Sequence, residues 1–129
     1  MISTRYDSEN NIVYLSHDGE ITINDATKTL RMLKNTYNHL DYVYLLEDSR
    51  NSSFSFSISE IPILIKAVKE NLYGIIEVRH ADIVLSPLNT ALSFIYGQMV
   101  NPIKNYKYRA FSTEEAAIAW LKKGIYFQK

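Results

Sequence analysis

The chain has 129 residues, 14 Lys plus Arg against 14 Asp plus Glu, 47% hydrophobic residues, ten tyrosines and no cysteine. A length of this order suits one domain, and the zero formal charge gives no electrostatic pull toward a nucleic-acid backbone or an anionic bilayer. Without cysteine, thiol catalysis, disulfide frameworks and thiolate zinc sites are excluded.

Met1 to Asn11 is polar and charged, with no apolar core for a signal peptide. The longest apolar runs, such as Ile63-Leu64-Ile65, fall far short of the roughly 20 residues a membrane span needs. The expectation is a cytoplasmic protein without a membrane span. A short strand over Arg5–Asp7, a polar turn and a returning strand over Ile12–Ser16 predict an opening hairpin ended by Asp18-Gly19. Ile23, Ala26, Leu30, Leu33 and Tyr37 then recur at helical spacing, with Thr22 and Asp25 placed as a capping box. Tyr42–Leu46 is apolar on both alternating faces, as a central strand covered on both sides requires.

The polar connection that follows leads to a second helix carrying Ile61, Leu64, Ile65, Val68 and Leu72, stopped near Gly74. Its start reads two ways: Ser57 with Glu60 fits a capping box, while a cap at Ser59 places Pro62 inside the first turn, where its missing N–H costs nothing. The expectation here is Ser59. A strand over Glu77–Leu85 runs into Ser86-Pro87, the favoured opening of a third helix with a stripe at Leu88, Ala91, Leu92, Ile95 and Met99. Tyr106–Phe111 alternates as a last strand. Ser112-Thr113-Glu114-Glu115 then opens a fourth helix over Ala116, Ala117, Trp120 and Leu121, stopping at Gly124. The order β-β-α-β-α-β-α-β-α predicts one α/β domain over residues 1–129, with a mixed, mostly parallel sheet and four helices.

Motifs for chemistry are few. Four glycines cannot build a dinucleotide fingerprint or a phosphate-cradling loop, and no G-x-S-x-G elbow is present. His17, His39 and His80 are scattered, without a second ligand at helical spacing. His39 ends a helix, where a cation suits the dipole. His80 and Asp82 share a strand face and could serve as a base and its orienter. Tyr106 and Tyr108 alternate with Lys107 and Arg109, yet that period puts rings and cations on opposite faces, unlike an RNA-binding sheet. The serine-rich segment from Glu47 to Ser59 lies between the carboxyl end of a strand and a helix start, a favoured place for ligands. Loop serines there also serve as caps.

The chain resembles the STAS superfamily, the SpoIIAA-like anti-anti-sigma factors and their Sec14-like relatives. The resemblance rests on the opening hairpin, "DGEITINDATKTL", "YVYLLEDSR" and "YRAFSTEEAAIAWLKKG". It implies a mixed sheet with packed helices and a bacterial regulatory or protein-interaction role without catalysis or cofactor. Anti-sigma-factor antagonists carry a phosphorylated Asp-Ser dipeptide after the third strand, which Asp48-Ser49 matches, although Arg50-Asn51-Ser52 follows where the family has a glycine. The implied candidates are Asp48, Ser49, Ser57 and Ser59, as phosphoacceptor or docking loop for a regulatory protein or kinase. The alternative is a carrier of a small apolar or lipid-like ligand, with Ile61, Leu64, Ile65, Leu92, Ile95 and Met99 lining a cavity. Tyr126 and Phe127, in a short tail, suggest a homodimer contact. The strand tyrosines read as structural.

Overall fold

A strand whose two faces are both apolar must be covered on both sides, and the central strands achieve this with helices. The computed structural model describes residues 2–128. Strands β1 (Ile2–Asp7), β2 (Ile12–His17), β4 (Tyr42–Asp48), β6 (Glu77–Ile83) and β7 (Tyr106–Phe111) form one sheet in the order β1-β2-β4-β6-β7. The β1–β2 hairpin is antiparallel, and every later pairing is parallel. Helices α1 (Ile23–Tyr37), α2 (Ile61–Leu72) and α3 (Pro87–Val100) make the crossovers, and α4 (Glu114–Leu121) follows the last strand. This is the expected α/β fold with a mixed, mostly parallel sheet.

The strand order always advances in one direction, and parallel crossovers are right-handed, so α1, α2 and α3 all fall on the same face. Leu30 and Leu33 of α1, Ile61, Leu64 and Val68 of α2, and Tyr96 and Val100 of α3 pack there in one cluster with Val13, Leu15, Val43, Leu45 and Val78. α4 has no later strand to reach and covers the opposite face, where Ala117 and Leu121 meet Ile12, Tyr44, Leu46, Ala81 and Ile83.

The helix starts follow their sequence signals with two corrections. Thr22 and Asp25 exchange both bonds of the capping box, and the Ser86 side chain accepts from Asn89 N at the Pro87 start. α2 does not begin at a Ser59 cap. Ser57 N instead donates to Glu60 Oε1 at 2.9 Å, closing a 3-10 turn at Ile58–Glu60, and the α-helix begins at Ile61 with Pro62 still in its first turn. Both demands, the box and the proline, are met by inserting that turn. At α4 the cap is a single bond from Ala116 N to the Thr113 hydroxyl.

The predicted stripe of α3 is rotated. Leu88 and Met99 are exposed and so is Ala91, while Asn89, Leu92, Ser93, Tyr96, Gly97 and Val100 are buried. Polar Asn89 explains the shift: its amide oxygen accepts from Phe54 N at 3.0 Å and its amide nitrogen donates to Ser52 O at 3.0 Å. Those bonds hold a short strand absent from the sequence reading, β5 (Ser52–Phe54), which pairs in parallel with β3 (Gly19–Ile21). Gly19, the expected end of the hairpin, takes φ 84°, the left-handed region that glycine enters without a Cβ clash, and opens β3.

Candidate functional site

In a parallel sheet covered by helices the inward positions should be apolar. Four neighbouring strands break that rule on one face. Register places Leu45 beside His80 and Glu47 beside Asp82, with Leu15 beside Glu47 and His80 beside Tyr108. Alternation then aims His17, Glu47, His80, Asp82, Tyr106 and Tyr108 toward the α1–α3 layer. All six line one half-enclosed cavity near the carboxyl ends of the parallel strands. Leu30, Leu33, Leu64, Leu92, Phe54 and Phe56 are among its apolar walls. The interior offers about 80 Å³ to the centres of water-sized molecules, room for several waters at roughly 15 Å³ each.

The floor is a connected polar network. Glu47 accepts on one oxygen from His80 Nε2 at 2.7 Å, and its other oxygen lies 2.7 Å from His17 Nε2. The His17 nitrogen is buried and off the axis needed for a hydrogen bond, so the contact is an ion-pair distance without alignment. His80 Nδ1 meets the Tyr106 hydroxyl at 2.6 Å, which meets that of Tyr96 at 3.1 Å. Asp82 accepts from Ser49 Oγ at 2.7 Å and from the Tyr108 hydroxyl at 2.8 Å.

Burial opposes charge on these groups, and the neighbours decide which group keeps it. Burial acts to raise the Glu47 carboxyl, but the imidazoles of His17 and His80 outweigh it and hold Glu47 well below the usual carboxylate range. Burial acts to lower His17, and Glu47 outweighs that as well, leaving His17 above the ordinary imidazole value. Asp82 has no such cation to itself; burial and the adjacent Glu47 charge push it up to about 7. Burial likewise raises the hydroxyls of Tyr106 and Tyr108, which stay protonated donors.

The four residues proposed from the Asp-Ser resemblance do not form one hydrogen-bonded site. Asp48 sits on the rim in a two-pronged pair with Arg50, at 2.9 and 2.8 Å. Ser49, the next residue, points inward, is 0% exposed and bonds Asp82; a kinase would reach its hydroxyl only after local opening. Ser57 and Ser59 are exposed, with hydroxyls 2.8 Å apart. His80 and Asp82 do share a face, but the bonds of His80 go to Glu47 and Tyr106 rather than to Asp82. Of the six residues expected to line an apolar cavity, Leu64 and Leu92 do so. The sequence reading placed Glu47 only at the start of the serine-rich connection and missed His17 and the tyrosine hydroxyls as site groups. Their available signal was charge near the ends of strands otherwise apolar on both faces.

The tail packs in part against the sheet, while Ile125 and Tyr126 stay exposed. Tyr126 N donates to the Tyr44 hydroxyl at 2.9 Å, and the Phe127 ring stacks on Tyr44 at 5.5 Å. Among the described residues no helix is long and apolar enough to cross a membrane.

No protein-family model matches the chain, and no curated protein matches it. Among solved structures it is similar to an uncharacterised protein of the DUF3478 family from Shewanella loihica PV-4 with a SpoIIAA-like fold. The TM-score is 0.60 at 15% identity, over 94% of this chain and 92% of that one. It is also similar to the anti-sigma factor antagonist SpoIIAA in its unphosphorylated form, with TM-score 0.46 and 14% identity over 97% and 100% of the two chains. The first likeness shows a SpoIIAA-like fold.

Proposed function

We propose that this SpoIIAA-like chain is a regulatory binding module without a reaction of its own, and that it takes a small, mainly apolar ligand with one polar end into the cavity beneath α1 and α2. The observation that carries this reading is the combination of apolar walls with a few convergent polar groups, the usual make-up of a small-molecule site. Leu30, Leu33 and Leu64 would hold the apolar part, and His80, Asp82 and Tyr106 would meet the polar end. Among the described residues the His80 ring bonds Glu47 and Tyr106 rather than a serine or threonine, and Ser49 donates to a carboxylate, which supports binding over nucleophilic chemistry.

Docking of a regulatory protein or kinase through the Asp48–Ser59 connection is the second reading, and one observation joins it to the first. Phe54 and Phe56 lie on that connection and also line the cavity, so an occupant would bear directly on the docking segment.

Native mass spectrometry of protein freshly isolated from its own cells should show a non-covalent adduct. A small-fragment screen by NMR should shift the signals around Leu64 and Phe54, and Leu30→Trp should remove both effects while the fold is kept. A clean apoprotein mass together with no shifts for any apolar fragment would sink the ligand reading.

A further inference from the structure

Two carboxylates and two imidazoles meet on the cavity floor, and among the described residues no Lys or Arg lines it. Glu47 and Asp82 occupy paired register positions on adjacent strands, so both carboxyl groups face the same space between those strands. One ligand atom from each of Glu47, His80 and Asp82 lies within 4.8 Å of the others. A separate observation points to the same spot. His17, only 6% exposed, aims its Nε2 at the cluster without an aligned hydrogen bond to satisfy it.

We infer that this floor is a site for one divalent transition-metal ion, ligated by the clustered Glu47, His80 and Asp82, with His17 Nε2, 2.7 Å from Glu47, as the fourth donor. A dication balances the two carboxylates and leaves both imidazoles neutral, the form in which histidine binds metal. Two nitrogens and two carboxylates suit zinc, cobalt, nickel or iron better than calcium or magnesium, which favour all-oxygen shells.

The surrounding hydrogen bonds have the form that metal ligands need. With Nε2 on the ion, His80 Nδ1–H donates to the Tyr106 oxygen, and the Tyr106 hydroxyl donates onward to Tyr96. Asp82 is oriented on both oxygens, by Ser49 and by Tyr108. Ligand atoms around a four-coordinate ion stand a little over 3 Å apart, so the 2.7 Å contacts on Glu47 would open by about half an ångström on loading. The inference uses the same floor as the proposed ligand site and rests on that cavity reading, but metal uptake is measured with no organic ligand present.

The test is titration of chelator-treated, dialysed protein with Zn²⁺ by calorimetry and with Co²⁺ by visible absorption. Wild type should bind one ion per chain and show a cobalt ligand-field band. Glu47→Gln, which keeps the shape of the side chain, and His80→Ala should each weaken binding by at least 100-fold. Tyr106→Phe, a positioning change, should weaken it by about 10-fold. His39→Ala, at an exposed position outside the cluster, should change nothing. Folding of every variant is checked by circular dichroism, and Glu47→Gln and Tyr106→Phe decide the matter if His80→Ala unfolds. Absence of uptake by folded wild type, or uptake indifferent to Glu47→Gln and Tyr106→Phe, overturns the inference. Metal binding without any fragment binding removes the ligand reading and leaves this one; fragment binding without metal does the reverse.

Discussion

Each face of the sheet holds a largely covered glutamate, and the two glutamates do different things. On the α4 face Glu77 accepts from the Tyr44 hydroxyl and, at 2.9 Å, from Ile125 N, with Arg79 at 3.9 Å. Arg79 in turn stacks on Trp120 at 4.0 Å and donates to its carbonyl. Backbone and a permanent cation satisfy that carboxylate, and the result ties the chain's tail to the sheet. On the α1–α3 face Glu47 is met by two histidine side chains, beside a second carboxylate and an open volume. The polar groups alone do not mark the site. What marks it is that their partners can leave and that space exists for a replacement.

The contrast predicts unequal costs for equal deletions. Leu121, the fully buried last residue of α4, should lose about 3–5 kcal/mol as Leu121→Ala, because a closed layer cannot collapse on the void. Leu64, which already borders the cavity, should lose only about 2–3 kcal/mol as Leu64→Ala. Denaturant unfolding measures both, and equal losses would show that the cavity wall is packed as tightly as the α4 face.

Two glycines give a finer version of the same test. A Cβ on Gly124 would run into the Tyr44 ring, itself 0% exposed, so Gly124→Ala should cost about 1–3 kcal/mol through overpacking. A Cβ on Gly97, within α3, would meet Tyr108 Cδ1 at an ordinary 3.5 Å. Gly97→Ala should therefore be neutral or stabilise by up to about 1 kcal/mol, since alanine is the better helix former. Thermal unfolding of the pair checks the opposite signs.

The smallest effect lies away from both faces. Thr22→Ala should cost about 1 kcal/mol as the α1 cap is lost. Asp25 is held below its ordinary carboxyl value by its bonds to Thr22. Its share of stability is therefore present above the usual carboxylate range and is lost as the pH falls through it. Wild type and Asp25→Ala should converge in unfolding midpoint on acidification, and a constant gap would remove the Asp25 charge from the cap.

The elements read from local pattern stand because their causes are local. The spacing of Ile23, Ala26, Leu30, Leu33 and Tyr37, the Ser86-Pro87 start and the alternation from Tyr106 to Phe111 each bury one side or cap one end within a few residues. β3 and β5 were not legible: each has three residues, and their pairing partners lie more than thirty positions apart. The α3 stripe was misread because apolarity was taken as the mark of burial, while Asn89 and Ser93 go inside.

By itself the sequence determined an α/β chain with parallel crossovers, four helices and little material for catalysis in any local motif, because periodicity, caps and residue inventory are properties of neighbouring positions. The excess of tyrosine looked structural on the same grounds, and for Tyr44 it is. Only the tertiary structure decided that Tyr106 and Tyr108 also offer their hydroxyls to a floor shared with His17, Glu47, His80 and Asp82. Those residues sit on four strands, and strand register, which no short stretch of sequence encodes, brought them to one face.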